Sequence, residues 1–369
     1  MRRGIPSRCC RMVRRTGLAV LCLAAISACG PPATNTVTEG LPKPVQKGSL
    51  VSEQELSAVV DSLLTGSFLA RRTAADSLER LDDPRTPGIL LGRLRTPAFR
   101  YEASRALSHL DMRAGTDSLI SGLSDTSVFV RWSLARALGA LGVTNAGAGL
   151  AGALDDSSMA VRRAAACSIG QLADTSFIPV LLAHAHDPHE EVRAAVAEAL
   201  GEIGPETVPI LQTMVEDDSG LVVTAAIEAL GRLGGEETVP AIGIALLDSP
   251  IPTRMTASQA LGRIGGPAAD SLLLAAALDD PAPLVREAAV HALAHCQPRL
   301  VVGIVNDRRT REPDVFVRLA WVDALGQLRD EGARSALEEL AEGDSSPDVR
   351  RAARAALLVG GDQDADGMR

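Results

Sequence analysis

One segment recurs along the chain, and its spacing limits the fold to a stack of like units. It reads as an apolar residue and Arg, a run of small residues, Ala-Leu-Gly or a close variant, then Leu or Ile. Val161-Arg162-Arg163-Ala164-Ala165-Ala166-Cys167-Ser168-Ile169-Gly170-Gln171-Leu172 is one copy, and Val192-Arg193-Ala194-Ala195-Val196-Ala197-Glu198-Ala199-Leu200-Gly201-Glu202-Ile203 is the next. The Arg stands at 71, 100, 131, 162, 193, 254, 286, 318 and 350, with Val223 in the sixth of the ten copies, so the steps run from 29 to 32 residues. A unit that short cannot bury an apolar face alone, so each copy must pack on its neighbours.

Each unit divides in two. An acid precedes the Arg by six residues in most copies: Asp125, Asp156, Asp187, Asp217, Asp248, Asp280, Glu312 and Asp344, with Leu94 and Thr65 in the second and first. Between copies lies a second apolar stretch, opened by Ile178-Pro179, Val208-Pro209 or Val239-Pro240. Proline is tolerated in the first helical turn, where its missing N–H has no partner to lose. The unit therefore reads as a first helix, an acidic turn and a second helix beginning near the Arg. Glycine in Ala-Leu-Gly lets adjacent helices approach closely. Composition agrees: 46% of the 369 residues are hydrophobic but only 2% aromatic, which disfavours β-sandwiches and barrels and excludes a disordered chain. The expected fold is all-α, a right-handed solenoid of about ten antiparallel helix pairs over residues 51–360.

The pattern resembles HEAT repeats, specifically the short HEAT-like repeats of the phycobilisome-lyase type. The resemblance implies a ladder in which the Arg of one repeat meets the turn acid of the next. The matching positions are Arg131, Asp156, Arg162, Asp187, Arg193, Asp248, Arg254, Asp280, Arg286 and Arg318, with Val223 breaking the ladder and local softening expected there. It also implies that the second helix of each unit lines the concave, partner-binding face.

Counting from the ladder residue as zero, positions +3, +6, +7 and +10 are small or apolar and must pack, while +1, +5 and +9 form one stripe of the helix. In the first four repeats that stripe carries Arg72, Arg80, Tyr101, Arg105, His109, Trp132, Arg136 and Arg163 against one acid, Asp76. Later repeats carry Glu198, Glu202, Glu228, Glu287 and Asp323, with Arg232 and Arg263 between them. Tyr, Trp and Arg are the residue types enriched at interface hot spots. Arg72, Tyr101, Arg105, His109, Trp132, Arg136 and Arg163 are thus the candidate contacts for an acidic or peptide partner; a solvated helix face is the plainer alternative.

The N-terminus reads as an address. Six Arg and no acid fall within residues 1–28, and Arg14-Arg15 precede a short apolar run from Leu18 to Ile26. A basic region, a short apolar run and small residues at its end make a secretory signal, too short to span a bilayer. Ile26-Ser27-Ala28-Cys29 resembles the bacterial lipobox, which implies a lipid on Cys29, such as palmitate; Gly30 after the Cys, rather than Asp, implies the outer membrane of a two-membrane bacterium. Met12 is a possible alternative start. Residues 29–50, with four Pro and both Lys of the chain, read as a flexible tether, and 361–369 as a disordered acidic tail. Without residues 1–28 the chain holds 31 basic and 46 acidic residues, a formal −15, which gives no electrostatic reason to seek nucleic acid. Cys9, Cys10 and Cys22 leave with the signal, so Cys167 and Cys296 remain as isolated thiols, four repeats apart.

Several constellations bear on chemistry. His184, His186, Asp187, His189 and Glu190 gather around one turn, and His291 and His295 stand four apart on a helix, a chelating spacing without an evident third ligand. Asp362-Gln363-Asp364-Ala365-Asp366-Gly367 opens like a calcium loop, but the chain ends before the required Glu. Deoxyhypusine hydroxylases of similar repeat type carry His-Glu pairs just after the repeat Arg; the corresponding pairs here include Tyr101-Glu102 and Glu287-Ala288. Bilin lyases work in the cytoplasm, in conflict with a secretory signal. The reading is therefore a lipid-anchored envelope scaffold or adaptor binding a protein or peptide partner, without a cofactor or catalytic residue. The alternative is a divergent metal-dependent, hydroxylase-like enzyme or a bilin-lyase-like protein.

Overall fold

The computed structural model describes residues 51–81, 83–109, 116–308, 311–328 and 330–361. Every regular element among them is helical. Cys29, the signal and the tether, and residues 362–369 of the acidic tail lie outside the described residues. No described helix is long and apolar enough to cross a membrane.

Contacts divide the chain into two units, Met1–Ile203 and Gly204–Arg369. Among the described residues of the first, five helix pairs follow in order: α1 (Glu53–Thr65) and α2 (Phe68–Leu81), α3 (Thr86–Arg95) and α4 (Arg100–His109), α5 (Asp117–Ser121) and α6 (Val128–Ala140), α7 (Gly147–Ala153) and α8 (Met159–Leu172), α9 (Ile178–Ala183) and α10 (Glu190–Ile203). The second unit holds α11 (Val208–Met214) and α12 (Gly220–Leu233), α13 (Val239–Asp248) and α14 (Ile251–Ile264), α15 (Pro267–Asp279) and α16 (Pro283–Cys296), α17 (Pro298–Arg308) and α18 (Val315–Gly326), α19 (Glu331–Gly343) and α20 (Pro347–Gly361). Each pair is one sequence repeat. The expected prolines stand in the first turns of α9, α11 and α13.

Within each unit the second helices pack in succession: α4, α6, α8 and α10 in one, and α12 through α20 in the other. First helices form a second layer, for example α13 on α15 and α15 on α17. This two-layer stack is an α-solenoid, as the repeat predicts. Positions +3, +6 and +7 are buried as expected, at Leu134, Ala137 and Leu138 in α6 and at Val196, Ala199 and Leu200 in α10. Position +10 is only half-buried at Leu141, Leu172, Ile203 and Leu233, because it falls at the helix end. The close approach credited to glycine is present. A Cβ at Gly170 would lie 2.6 Å from Ala199 Cα, and one at Gly262 would lie 2.7 Å from Ala292 Cβ.

The ladder joins neighbouring repeats through a repeated geometry. Arg131 gives Nε and Nη2 to the two carboxylate oxygens of Asp156 at 2.5 and 2.9 Å, and Nη1 to the Asp125 carbonyl at 2.8 Å. Arg162 holds Asp187, Arg254 holds Asp280, Arg286 holds Glu312 and Arg318 holds Asp344 in the same bidentate manner. The acid also caps its own turn: Asp156 Oδ1 accepts the Ser158 N–H at 2.8 Å, and Asp344 Oδ1 accepts that of Ser346 at 2.7 Å. One carboxylate thus ties a turn and two repeats together, with its lone pairs satisfied by charge-assisted bonds. Arg193 donates Nη1 to the Asp187 carbonyl at 2.9 Å.

Asp248 departs from its expected ladder role. It is exposed, closes α13 as its last residue, and its side chain makes no hydrogen bond or ion pair with the described residues. Two substitutions explain this. Val223 stands where the partner Arg would be, and Pro250, two residues on, has no N–H for the carboxylate to accept. Arg254 then takes the Ser249 carbonyl instead, at 2.8 Å.

Candidate functional site

The stripe at +1, +5 and +9 of the second helices is the candidate site, and each unit presents it differently. In the first unit, position 0 of α4 and the first three turns of α6 bring two arginines and two rings together. Phe129 and Trp132 stand with ring centroids 5.5 Å apart at 54°. The Arg136 guanidinium lies 4.9 Å from the Trp132 ring centroid, and that of Arg100 lies 5.2 Å from Phe129. Trp132 and Arg136 share one helix face because they are four residues apart, a single turn. The result is a row of guanidinium, ring, ring and guanidinium.

That arrangement revises the expected site in two ways. Trp132 and Arg136 are half-buried in each other rather than freely exposed, because ring and guanidinium cover one another. Arg100 and Phe129 were not among the candidates. Arg100 occupies a ladder position, but Arg95, at the end of α3, takes the Asp125 carboxylate at 2.7 Å. Arg100 turns onto Phe129, and its Nε is buried without a hydrogen-bond partner. An aromatic two residues before a ladder Arg was the signal that could have found Phe129.

Of the other candidates, Arg72 and Arg163 are exposed, and Arg105 is exposed with its guanidinium 3.0 Å from Glu102. The side chains of Tyr101 and His109 lie outside the described residues, although both residues belong to α4.

In the second unit the same stripe borders an open cleft of about 330 Å³ between α14 and α16. Met255, Gln259 and Arg263 line it from one helix, and Glu287, His291 and His295 from the other, so the +1, +5 and +9 positions of both repeats face one space. Its lining carries one arginine, Arg263, against the two of the row in the first unit.

Electrostatics follow the ladder. The Arg131 side chain bonded to Asp156, with the Ser158 N–H, holds that carboxyl below the usual carboxylate range. Burial pushes Asp187 up, but Arg162 and the His189 N–H together outweigh it and hold the group low. For Asp125 the Ser127 N–H is the chief cause of a lowered value, followed by Arg95.

Histidines singled out by spacing are spread among separate partners. His184 places Nδ1 2.8 Å from the Val180 carbonyl and Nε2 3.2 Å from Asp155. Asp187 is engaged by Arg162, and His189 Nδ1 lies 3.2 Å from Arg162 Nη2. His291 Nε2 stands 3.8 Å from Glu287 Oε1. Among the described residues no three His, Cys, Asp or Glu side chains are grouped to hold a metal ion. Neither Cys167 nor Cys296 is joined in a disulfide. Burial and the neighbouring Asp270 carboxylate push the Cys296 thiol up to about 11.

A sequence model of HEAT repeats matches residues 95–168, 147–230, 178–253 and 220–294. No curated protein matches the chain. Among solved structures, the karyopherin Kap121p bound to Pho4p is similar at 17% identity, over 83% of this chain and 42% of that one, with a TM-score of 0.51. Kap121p bound to the extreme C-terminus of the protein phosphatase Cdc14p is similar at 17% identity, over 82% and 41%, with a TM-score of 0.50. This chain therefore spans less than half the length of that karyopherin. The complex of CpcE and CpcF of phycocyanin lyase from Nostoc is similar at 27% identity, over 57% of this chain and 88% of that one, with a TM-score of 0.40.

Proposed function

Because this chain belongs to the HEAT-repeat family, we propose that it is a scaffold or adaptor that binds a protein or peptide partner along the stripe of its second helices. The supporting observation is the row of Arg100, Phe129, Trp132 and Arg136. A guanidinium stacked on a ring keeps its in-plane N–H donors, so it is held in place while still able to fork onto a carboxylate. Holding it beforehand lowers the ordering cost of binding. Exposed Arg72 and Arg163 extend the positive character of the stripe. Such a surface suits an acidic segment with an apolar or aromatic side chain. Kap121p, of like fold, is solved with protein partners bound, and this kind of use is proposed here.

We further place the protein in the cell envelope, lipid-anchored through Cys29 at the outer membrane of a two-membrane bacterium, on the strength of the lipobox resemblance. Catalysis is not part of this reading. The deciding experiment is crosslinking in native envelopes, comparing the natural chain with one carrying Trp132→Ala and Arg136→Ala. Loss of a specific crosslinked partner supports the site; an unchanged pattern rejects it. Labelled palmitate should enter the chain and be absent from Cys29→Ala. Stoichiometric iron in purified protein would favour the hydroxylase-like alternative instead.

A further inference from the structure

The junction of the sixth and seventh repeats differs from the others in several coordinated ways, all within the second unit. Val223 replaces the ladder Arg and is buried. Asp248, the acid it would have met, is exposed, while its counterparts Asp187 and Asp344 are buried under a guanidinium. Pro250 withholds the N–H that caps the acid elsewhere. Thr253 takes a position filled by Val in the neighbouring repeats, at Val222 and Val285, and meets the Thr224 hydroxyl at 3.1 Å. That contact is an uncharged tie between repeats in place of the ion pair.

What the junction leaves outside is both acidic and apolar. Leu247 is 71% exposed, Leu221 49% and Ile251 40%. Leu247 and Asp248 are adjacent at the end of α13, Ile251 begins α14, and the Thr224–Thr253 contact brings the start of α12 against the start of α14. Asp248 also sits at a helix C-terminus, where the negative end of the macrodipole adds to its own charge. A cation approaching there meets both. The other ladder acids display the geometry an incoming guanidinium would adopt: Arg254 reaches both Asp280 oxygens at 2.9 Å.

We propose that this junction is a second docking site, one that takes an arginine flanked by apolar residues in an exposed segment of a partner protein. The partner supplies in trans the guanidinium that the sixth repeat lacks. Its arginine forks onto Asp248, and its flanking side chains cover Leu221, Leu247 and Ile251. Charge complementarity selects this occupant: an acid left without a cation, beside apolar side chains left without cover. The site is separate from the row around Trp132, and its partner carries the opposite charge.

The test uses the full chain and a fluorescein-labelled synthetic peptide with an Ac-Gly-Leu-Arg-Leu-Gly core, followed by fluorescence anisotropy. A second peptide carries citrulline, which keeps the shape of arginine without its charge. The arginine peptide should bind the natural chain and the citrulline peptide at least tenfold more weakly. Asp248→Asn should weaken the arginine peptide at least tenfold, and Val223→Arg should do the same by filling the acid in cis. Trp132→Ala should leave this binding unchanged, which separates the site from the one proposed above. Should Val223→Arg fail to fold by circular dichroism, the exposed Asp248→Asn substitution decides alone. Absence of binding to the natural chain, undiminished binding to Asp248→Asn, or equal binding of the citrulline peptide would overturn the proposal.

Discussion

Arg162 holds both carboxylate oxygens of Asp187, at 2.7 and 3.0 Å, and thereby pins two consecutive repeats. Asp156 and Asp187 both lie below the ordinary carboxylate range when folded. A carboxyl lowered by folding binds more protons when unfolded, so its contribution is present above the unfolded value, about 3.9, and disappears as pH falls through the folded one. The thermal midpoint of the natural chain should therefore drop steeply below about pH 4. A chain carrying Asp156→Asn and Asp187→Asn should start lower at pH 7 and lose less across that range. Parallel curves for the two chains would refute the ladder's part in acid stability.

Removing one member of a buried pair costs more than removing both, because an unpaired charge is left behind. Arg318 and Asp344 are the most enclosed of the pairs, with side chains 6% and 3% exposed. Arg318→Met should destabilise the chain by about 3 kcal/mol, and adding Asp344→Ala should restore part of that loss. Chemical denaturation of the single and double variants measures the difference.

Glycine at position +8 is required by helix approach rather than by backbone conformation. Gly262→Ala would press a methyl group against Ala292 Cβ at 2.7 Å. The cost should be about 1–3 kcal/mol, opposite in sign to the usual gain from Gly to Ala in a helix. Gly303, in α18's preceding helix α17, has nothing within 4 Å of an added Cβ, so Gly303→Ala should be neutral or stabilising. Denaturation midpoints of the two variants should move in opposite directions or differ clearly in size.

Cys296 should be a slow nucleophile. Its thiol is pushed up to about 11 from an ordinary 9.0, so at pH 8 the thiolate fraction is about a hundredfold below that of an unshifted thiol. Iodoacetamide should modify it correspondingly slowly, and Asp270→Asn should speed the reaction by removing the neighbouring charge. Mass spectrometry of the peptide containing Cys296 over time gives the rate.

Much of this was legible in the order of residues. A period of 29 to 32 residues fixes which positions are equivalent, and equivalence predicts the ladder partner from sequence distance alone. Arg131–Asp156, Arg162–Asp187 and Arg254–Asp280 form for that reason. The two Trp residues show what position adds to residue type. Trp132 at +1 lies on the outward stripe, whereas Trp321 at +3 is 1% exposed, filling a position held by Ala257 and Ala289 in earlier repeats. Helical phase separates them, and phase can be read without coordinates.

Tertiary structure decided the exceptions, where two groups compete for one partner. Arg95 and Arg100 both lie near the turn of Asp125, and only packing determines that Arg95 reaches the carboxylate while Arg100 settles on Phe129. Asp248 belongs to the ladder by register, yet its exposure depends on the missing N–H of Pro250 and the missing guanidinium at Val223, groups that belong to different repeats. A repeat determines register because its spacing is local and periodic. It does not determine which donor wins a shared acceptor, since that depends on how side chains remote in the chain pack against one another.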